Sequence, residues 1–162
     1  MVWIVMGVSG SGKTTIGKLL AEKLNLPFHD ADDFHPPSNV EKMSSGQPLN
    51  DEDRKPWLIS LANHIRDWNR DKGGVLACSA LKQSYRYLLM SKSSDVQFIY
   101  LKGSKHLILQ RMKSRSNHYM PPELLDSQFD ALEEPANAVV VSIDQPPKEI
   151  VNQILKSMSD IG

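Results

Sequence analysis

Apolar positions follow two alternating rhythms along the chain. Five short stretches are apolar almost throughout and rich in β-branched or aromatic residues: VWIVM (2–6), PFHD (27–30), VLACS (75–79), VQFIYL (96–101) and AVVVSI (138–143). Between them the apolar positions recur every three or four residues. Ile16, Leu19, Leu20 and Leu24 make one stripe, Leu58, Leu61, Ala62 and Ile65 a second, and Ile150, Val151, Ile154, Leu155 and Met158 a closing one. Strands without a polar face must be covered on both sides, so the alternation predicts a parallel, doubly wound five-stranded sheet between two helical layers. Ligands then belong at the carboxyl ends of the strands. Pro27 opens the second strand, Pro36 and Pro37 break the chain after it, and Gly73-Gly74 ends the long helix before the third. No repeat, linker or low-complexity tract divides the chain, which predicts one domain over 1–162.

Composition narrows the function without naming it. With 40% hydrophobic residues in 162, the chain can bury one full core. Its 19 basic and 19 acidic residues cancel, so no overall positive field draws it to nucleic acid or to an anionic membrane. Small-molecule chemistry is favoured. The single cysteine, Cys78, lies in an apolar run and reads as a buried small hydrophobe of a reducing compartment. The strand-like run beginning at Val2 predicts no presequence, and no apolar stretch nears the roughly 20 residues of a membrane helix. The expected location is the cytoplasm.

The first strand runs directly into GVSGSGKTT, where Gly7, Gly12, Lys13 and Thr14 fit the spacing G-x-x-x-x-G-K-[ST]. Glycines let the backbone N–H groups of Gly7, Val8, Ser9, Gly10, Ser11, Gly12 and the following Lys13, Thr14 and Thr15 turn around phosphates. Lys13 reaches the β- and γ-phosphates, the Thr14 hydroxyl suits Mg²⁺, and the helix beginning near Gly12 adds its positive end. A nucleoside triphosphate is therefore the expected partner. A GTPase would carry a guanine-reading N-K-x-D run, which is missing; DKGG (71–74) fits a loose D-x-x-G pattern but lies where a helix must end, and is read as a turn.

A second chemical cluster is HDADDFHPP (29–37), with Asp30, Asp32 and Asp33 between His29 and His35. On composition alone it suits a metal site, an acid/base pair or a solvated turn. A structural zinc site is disfavoured, since the two histidines supply neither four ligands nor a usual spacing. His29 is expected to pack on the far face, Asp33 to be an exposed or capping acid, and His35 stays unassigned. If the strand persists, Asp30 and Asp32, two apart, share one face and look toward the phosphate cradle.

Further blocks make the pattern specific: PLNDEDRKPWL (48–58), CSALKQSYR (78–86), RMKSRSNHYMPPELLDSQFDALEEP (111–135) and IDQP (143–146). From about Val5 to Pro146 the chain resembles the gluconokinases of the small P-loop type, relatives of shikimate kinase and adenylate kinase. The resemblance implies a three-layer α/β/α P-loop kinase fold with a mobile lid at about 111–121, and transfer of the ATP γ-phosphate to the 6-hydroxyl of D-gluconate with Mg²⁺. Asn117 stands where relatives often have glycine, and YLLM (87–90) where they often place an acid and then a base.

Phosphoryl transfer needs a held hydroxyl, an acceptor for its proton and cations on the moving group. Asp32 is assigned to the hydroxyl and Asp30 to Mg²⁺ or its water, in line with the shikimate-kinase analogy; the two roles are interchangeable at this level. An acidic sugar also needs cations. Arg54 or Arg86 suits its carboxylate through paired hydrogen bonds, with Lys82 beside them, each having a surface ion pair as its bland alternative. Arg54 is expected where the LND block leads into a helix at Pro56, and Lys82 and Arg86 on one helical face. The family position implies that Arg115 meets transition-state charge and Arg111 stacks on adenine, while His118 is a lid contact to substrate or phosphate. The alternatives are a kinase of another hydroxy acid and, less favoured, a nucleotide-binding module without transfer. Relatives are often homodimers, and Trp3, Trp57 and Trp68 suit either a core or an interface.

Overall fold

The computed structural model describes residues 1–114 and 122–161. All five expected strands form: β1 (Val2–Met6), β2 (Phe28–Asp30), β3 (Gly74–Ala77), β4 (Val96–Lys102) and β5 (Val139–Ser142). They make one parallel sheet in the order β2-β3-β1-β4-β5. Around it run α1 (Lys13–Leu24), α2 (Pro37–Ser44), α3 (Asp51–Arg70), α4 (Gln83–Leu89), α5 (Lys105–Ser114), α6 (Pro122–Ala131) and α7 (Pro147–Ile161). Among the described residues no helix is long and apolar enough to cross a membrane.

Strand alternation divides the core in two. Val5 of β1 joins Ile16 and Leu20 of α1, Ile108 of α5, Leu125 of α6 and Ile150 and Ile154 of α7 on one face. Val2, Ile4 and Met6 face the other way, onto Trp57, Leu58, Leu61 and Ile65 of α3 and Leu89 of α4. Each fully buried Leu or Ile contributes on the order of 1.5–3 kcal/mol by leaving water, so this two-sided burial is what holds the central strands in register. β1 lies between β3 and β4, where chain progression reverses, and its carboxyl end is therefore the crevice of the sheet.

Two boundaries depart from expectation. The double proline does more than break the chain, because Pro37 takes the first position of α2, where its missing N–H costs nothing. α3 starts at Asp51, five residues before Pro56, because Asn50 and Asp53 close a capping box: Asp53 N–H donates to Asn50 Oδ1 (2.8 Å) and Asn50 N–H to Asp53 Oδ2 (3.0 Å). β2 ends at Asp30, where the PFHD stretch ends, and does not persist to Asp32, since Ala31–Phe34 turn into a 3₁₀ helix. As expected, DKGG is a turn, with the Asp71 and Gly73 N–H groups donating to the Trp68 carbonyl (3.1 and 2.8 Å).

Candidate active site

The phosphate loop leaves β1 at Gly7. Its φ of 153° and the crowding there leave no room for a side chain: a Cβ would stand 2.8 Å from Ser11 Oγ and 3.1 Å from the Leu101 carbonyl oxygen. Lys13 folds back over the loop, its Nζ donating to the carbonyls of Gly7 (2.9 Å) and Val8 (3.1 Å). Burial lowers the Lys13 pKa, while the negative charges of Asp32 and Asp30 act in the opposite direction. Val5 of β1 and Asp30 of β2 are both in register with Ala77 of β3, so the loop lysine and the two expected acids follow strands that end at one edge of the sheet.

They meet for a different reason than strand alternation. Asp30 is the last residue of β2, and its Oδ1 caps the 3₁₀ turn by accepting from the Asp32 N–H (3.0 Å). The cap is Asp30 rather than Asp33, which is simply exposed. Asp32 is open to solvent, yet protein packed beneath it strips part of its hydration; this desolvation and the Asp30 charge raise its carboxyl pKa above the ordinary value, with His35 and Lys13 opposing.

Behind the turn stands an aromatic wall that sequence reasoning did not foresee. His35 is stacked on Trp57 (ring centroids 4.1 Å apart, 16° between planes), and Trp57 Nε1 donates to the Ala31 carbonyl (2.7 Å). Asn39 Nδ2 donates to the Asp53 carbonyl (2.8 Å) and lies 3.3 Å from His35 Nδ1. That contact makes Nδ1 the acceptor and leaves the ring proton on Nε2, 3.8 Å from Asp32 Oδ1. Burial keeps the His35 pKa low, so it braces the acidic turn as a neutral ring. His29 packs as expected, stacked on Trp68 at 3.9 Å.

The acceptor-side cations divide into three fates. Arg54 Nη1 donates to the Leu49 carbonyl (2.8 Å) and approaches the Tyr85 hydroxyl (3.4 Å), leaving the rest of the fork free of carboxylate partners among the described residues. Lys82 precedes α4 instead of sharing a helical face with Arg86, and its Nζ pairs with Asp51 Oδ1 (3.1 Å) and Oδ2 (3.3 Å). Tyr85 also donates to Asp51, and this bond, with the Lys82 bond second, lowers the Asp51 pKa. Arg86 must be withdrawn from the acceptor set. It is buried, and Nη1 and Nη2 donate to the Ala80 (2.7 Å) and Glu133 (2.8 Å) carbonyls, riveting the start of α4 to the chain after α6. Tyr85, missed in the sequence, was signalled only by its place one residue before Arg86.

On the far side of the loop, Arg111 lines a cavity of about 430 Å³ with Ser114, Asp144, Gln145, Pro146 and Pro147, and it donates to the Ile143 carbonyl. The RMKS and IDQP blocks are thereby brought together. Thr14 and Asp30 line a second cavity of about 330 Å³. No three His, Cys, Asp or Glu side chains form a cage among the described residues, and a hydroxyl plus one carboxylate is the sparse donor set of an ion held largely by phosphates and water. Arg115 and His118, with most of the expected lid, lie outside the described residues.

Residues 9–159 match the family model described as shikimate kinase. The chain is 43% identical to a probable gluconokinase of Xenopus tropicalis (95% of this chain, 91% of the relative) and 43% identical to the thermoresistant gluconokinase of Escherichia coli K12 (93% and 89%). Its fold is similar to the crystal structure of a gluconokinase from Sinorhizobium meliloti 1021, with a TM-score of 0.91, 40% identity, and coverage of 99% of this chain and 92% of the other.

Proposed function

Given that the chain belongs to the shikimate kinase family and, within it, to the gluconokinases, we propose that it transfers the γ-phosphate of ATP to D-gluconate, giving 6-phospho-D-gluconate. The observation that carries the reading is the meeting of Lys13 with Asp30 and Asp32 at one sheet edge, beside the Arg54, Lys82 and Tyr85 cluster. A nucleotide-binding module has no use for this acceptor side.

In this reading Lys13 and those loop N–H groups not already bonded within the protein, as Gly7, Ser9 and Ser11 are, hold the triphosphate, and the cavity at Arg111 receives the base. Asp32 holds the 6-hydroxyl in line with the γ-phosphorus and accepts its proton as the new P–O bond forms. Its raised pKa makes it a better proton acceptor than an ordinary carboxylate. Arg54 is the gluconate carboxylate clamp, and Lys82 supports it once it exchanges Asp51 for substrate. Thr14 and Asp30 would hold Mg²⁺ here, which would supply positive charge to the phosphates. The reading implies work in the cytoplasm on a free metabolite.

An acceptor panel tests it: ADP release and product mass are followed with D-gluconate, shikimate, other sugar acids, neutral sugars and nucleoside monophosphates. Gluconate is expected to give by far the highest kcat/KM, with a product one phosphoryl group heavier. Brisk turnover of shikimate or a neutral sugar with no turnover of gluconate would overturn the assignment.

A further inference from the structure

The phosphate loop is gripped from outside by α6. The Ser9 backbone N–H donates to Gln128 Oε1 (2.6 Å), and Gln128 Nε2 donates to Ser9 Oγ (2.9 Å), so both ends of one carboxamide are spent on a residue 119 positions away. Gln128 stands on the side of α6 that holds buried Leu125 and partly buried Phe129, with Leu132 just past the helix also packed against the core. The helical period asks for an apolar residue there, and an amide so placed is costly unless both its donor and its acceptor are matched. α6 is itself anchored, by Leu125 and by the Lys105–Asp126 ion pair to α5.

The Ser9 N–H and the Val8 carbonyl belong to one peptide plane and, in a trans peptide, point opposite ways. The Val8 oxygen accepts from Lys13 Nζ (3.1 Å) and from the Ser11 N–H (3.2 Å). Gln128 and Lys13 therefore hold the same plane by its two edges. Gly10, next in the chain at φ +81°, lies against α5 so closely that a Cβ would come within 3.1 Å of Ile108 and Met112. Having no side chain, it offers no resistance of its own to rotation of the neighbouring planes.

We propose that Gln128 is a positioning residue for phosphoryl transfer: by holding the Ser9 N–H outward it keeps the Val8 carbonyl turned toward Lys13, and so sets where the ammonium stands to meet the β- and γ-phosphates. A lysine is a point charge on a flexible four-carbon stem, and its placement depends on such anchors. The proposal rests on the phosphotransferase reading above and deepens it.

Two variants test it. Gln128→Met keeps length and volume but removes both hydrogen bonds; Gln128→Glu keeps an acceptor for the Ser9 N–H and adds a negative charge. Each is measured for MgATP binding by calorimetry without acceptor, for kcat and both KM values with gluconate, and for Tm. For Gln128→Met, kcat is expected to fall about tenfold or more and MgATP to bind several-fold more weakly, with the gluconate KM within about twofold and Tm nearly unchanged. Gln128→Glu should bind MgATP more weakly through charge repulsion, yet keep a kcat nearer the parent than Gln128→Met does. Unchanged kcat and MgATP binding in Gln128→Met would overturn the role. So would losses spread evenly over both KM values and accompanied by a lowered Tm. Because the calorimetric arm needs no acceptor, a wrong choice of gluconate and a wrong role for Gln128 give different results.

Discussion

In the proposed function the phosphate loop spans nine consecutive residues and would meet its ligand mostly with backbone N–H groups, whereas the acceptor side collects Asp30, Asp32, Arg54, Lys82 and Tyr85 from three separate stretches of chain. The loop is indifferent to most side chains but exacting about backbone, as the crowding at Gly7 shows. The acceptor side is the reverse. Its groups are matched to one another within the protein, Lys82 and Tyr85 to Asp51, Arg54 to the Leu49 carbonyl, so an acidic substrate must compete for partners already engaged. Phosphate recognition is thus set by geometry, and acceptor recognition by a balance of charges.

The contrast is broken most sharply by one substitution on each side. Lys13→Ala should lower kcat/KM for ATP by on the order of a thousandfold and weaken MgATP binding, because it removes the charge that both ground state and transition state use. Asp32→Asn should lower kcat by on the order of a hundredfold or more with MgATP binding within about threefold, separating chemistry from binding in steady-state and calorimetric data. Equal binding losses in the two would erase the distinction. The Asp32 carboxyl is raised in the folded state, so ionising it works against folding. Stability it withholds above its folded pKa is regained as pH falls below it, and Asp32→Asn should leave Tm at neutral pH equal to or above the parent's. Activity moves the opposite way, declining as pH falls through that raised value because the protonated acid no longer accepts the hydroxyl proton.

Smaller effects sharpen the picture among the cations. Arg54→Ala should raise the gluconate KM about tenfold or more, whereas Lys82→Ala, which loses an exposed pair with Asp51, should raise it only about two- to threefold. Arg86→Met should leave the gluconate KM within about twofold and instead lower stability by roughly 1–3 kcal/mol, as the buried Ala80 carbonyl and the partly buried Glu133 carbonyl lose their donor. A large KM effect in Arg86→Met would return it to the acceptor set.

The same contrast explains what was legible in the sequence. Strands buried on both faces write themselves as apolar runs, and a backbone cradle writes itself as glycine spacing; both are local, and both were read with their boundaries nearly right. The acceptor side depends on tertiary choices. Whether Arg86 faces ligand or carbonyls turns on where residues 80 and 133 come to lie, and no local pattern carries that. The shared face of Asp30 and Asp32 was conditional on the strand persisting past Asp30, and it does not persist, because the Asp30 side chain offers the backbone a tighter local alternative. Gln128 alone left a trace, a glutamine on the apolar stripe of α6.

Cys78, the chain's single cysteine, is buried just past the end of β3, with its thiol pushed up to about 12 by burial and its backbone N–H bonded to the Val5 carbonyl (3.1 Å). An alkylating reagent needs the thiolate and needs access, and the native state denies it both. The molecule consequently carries its own stopwatch: under native conditions, the rate at which Cys78 is labelled counts the openings that pull apart β3 and β1, the two strands beneath the phosphate loop.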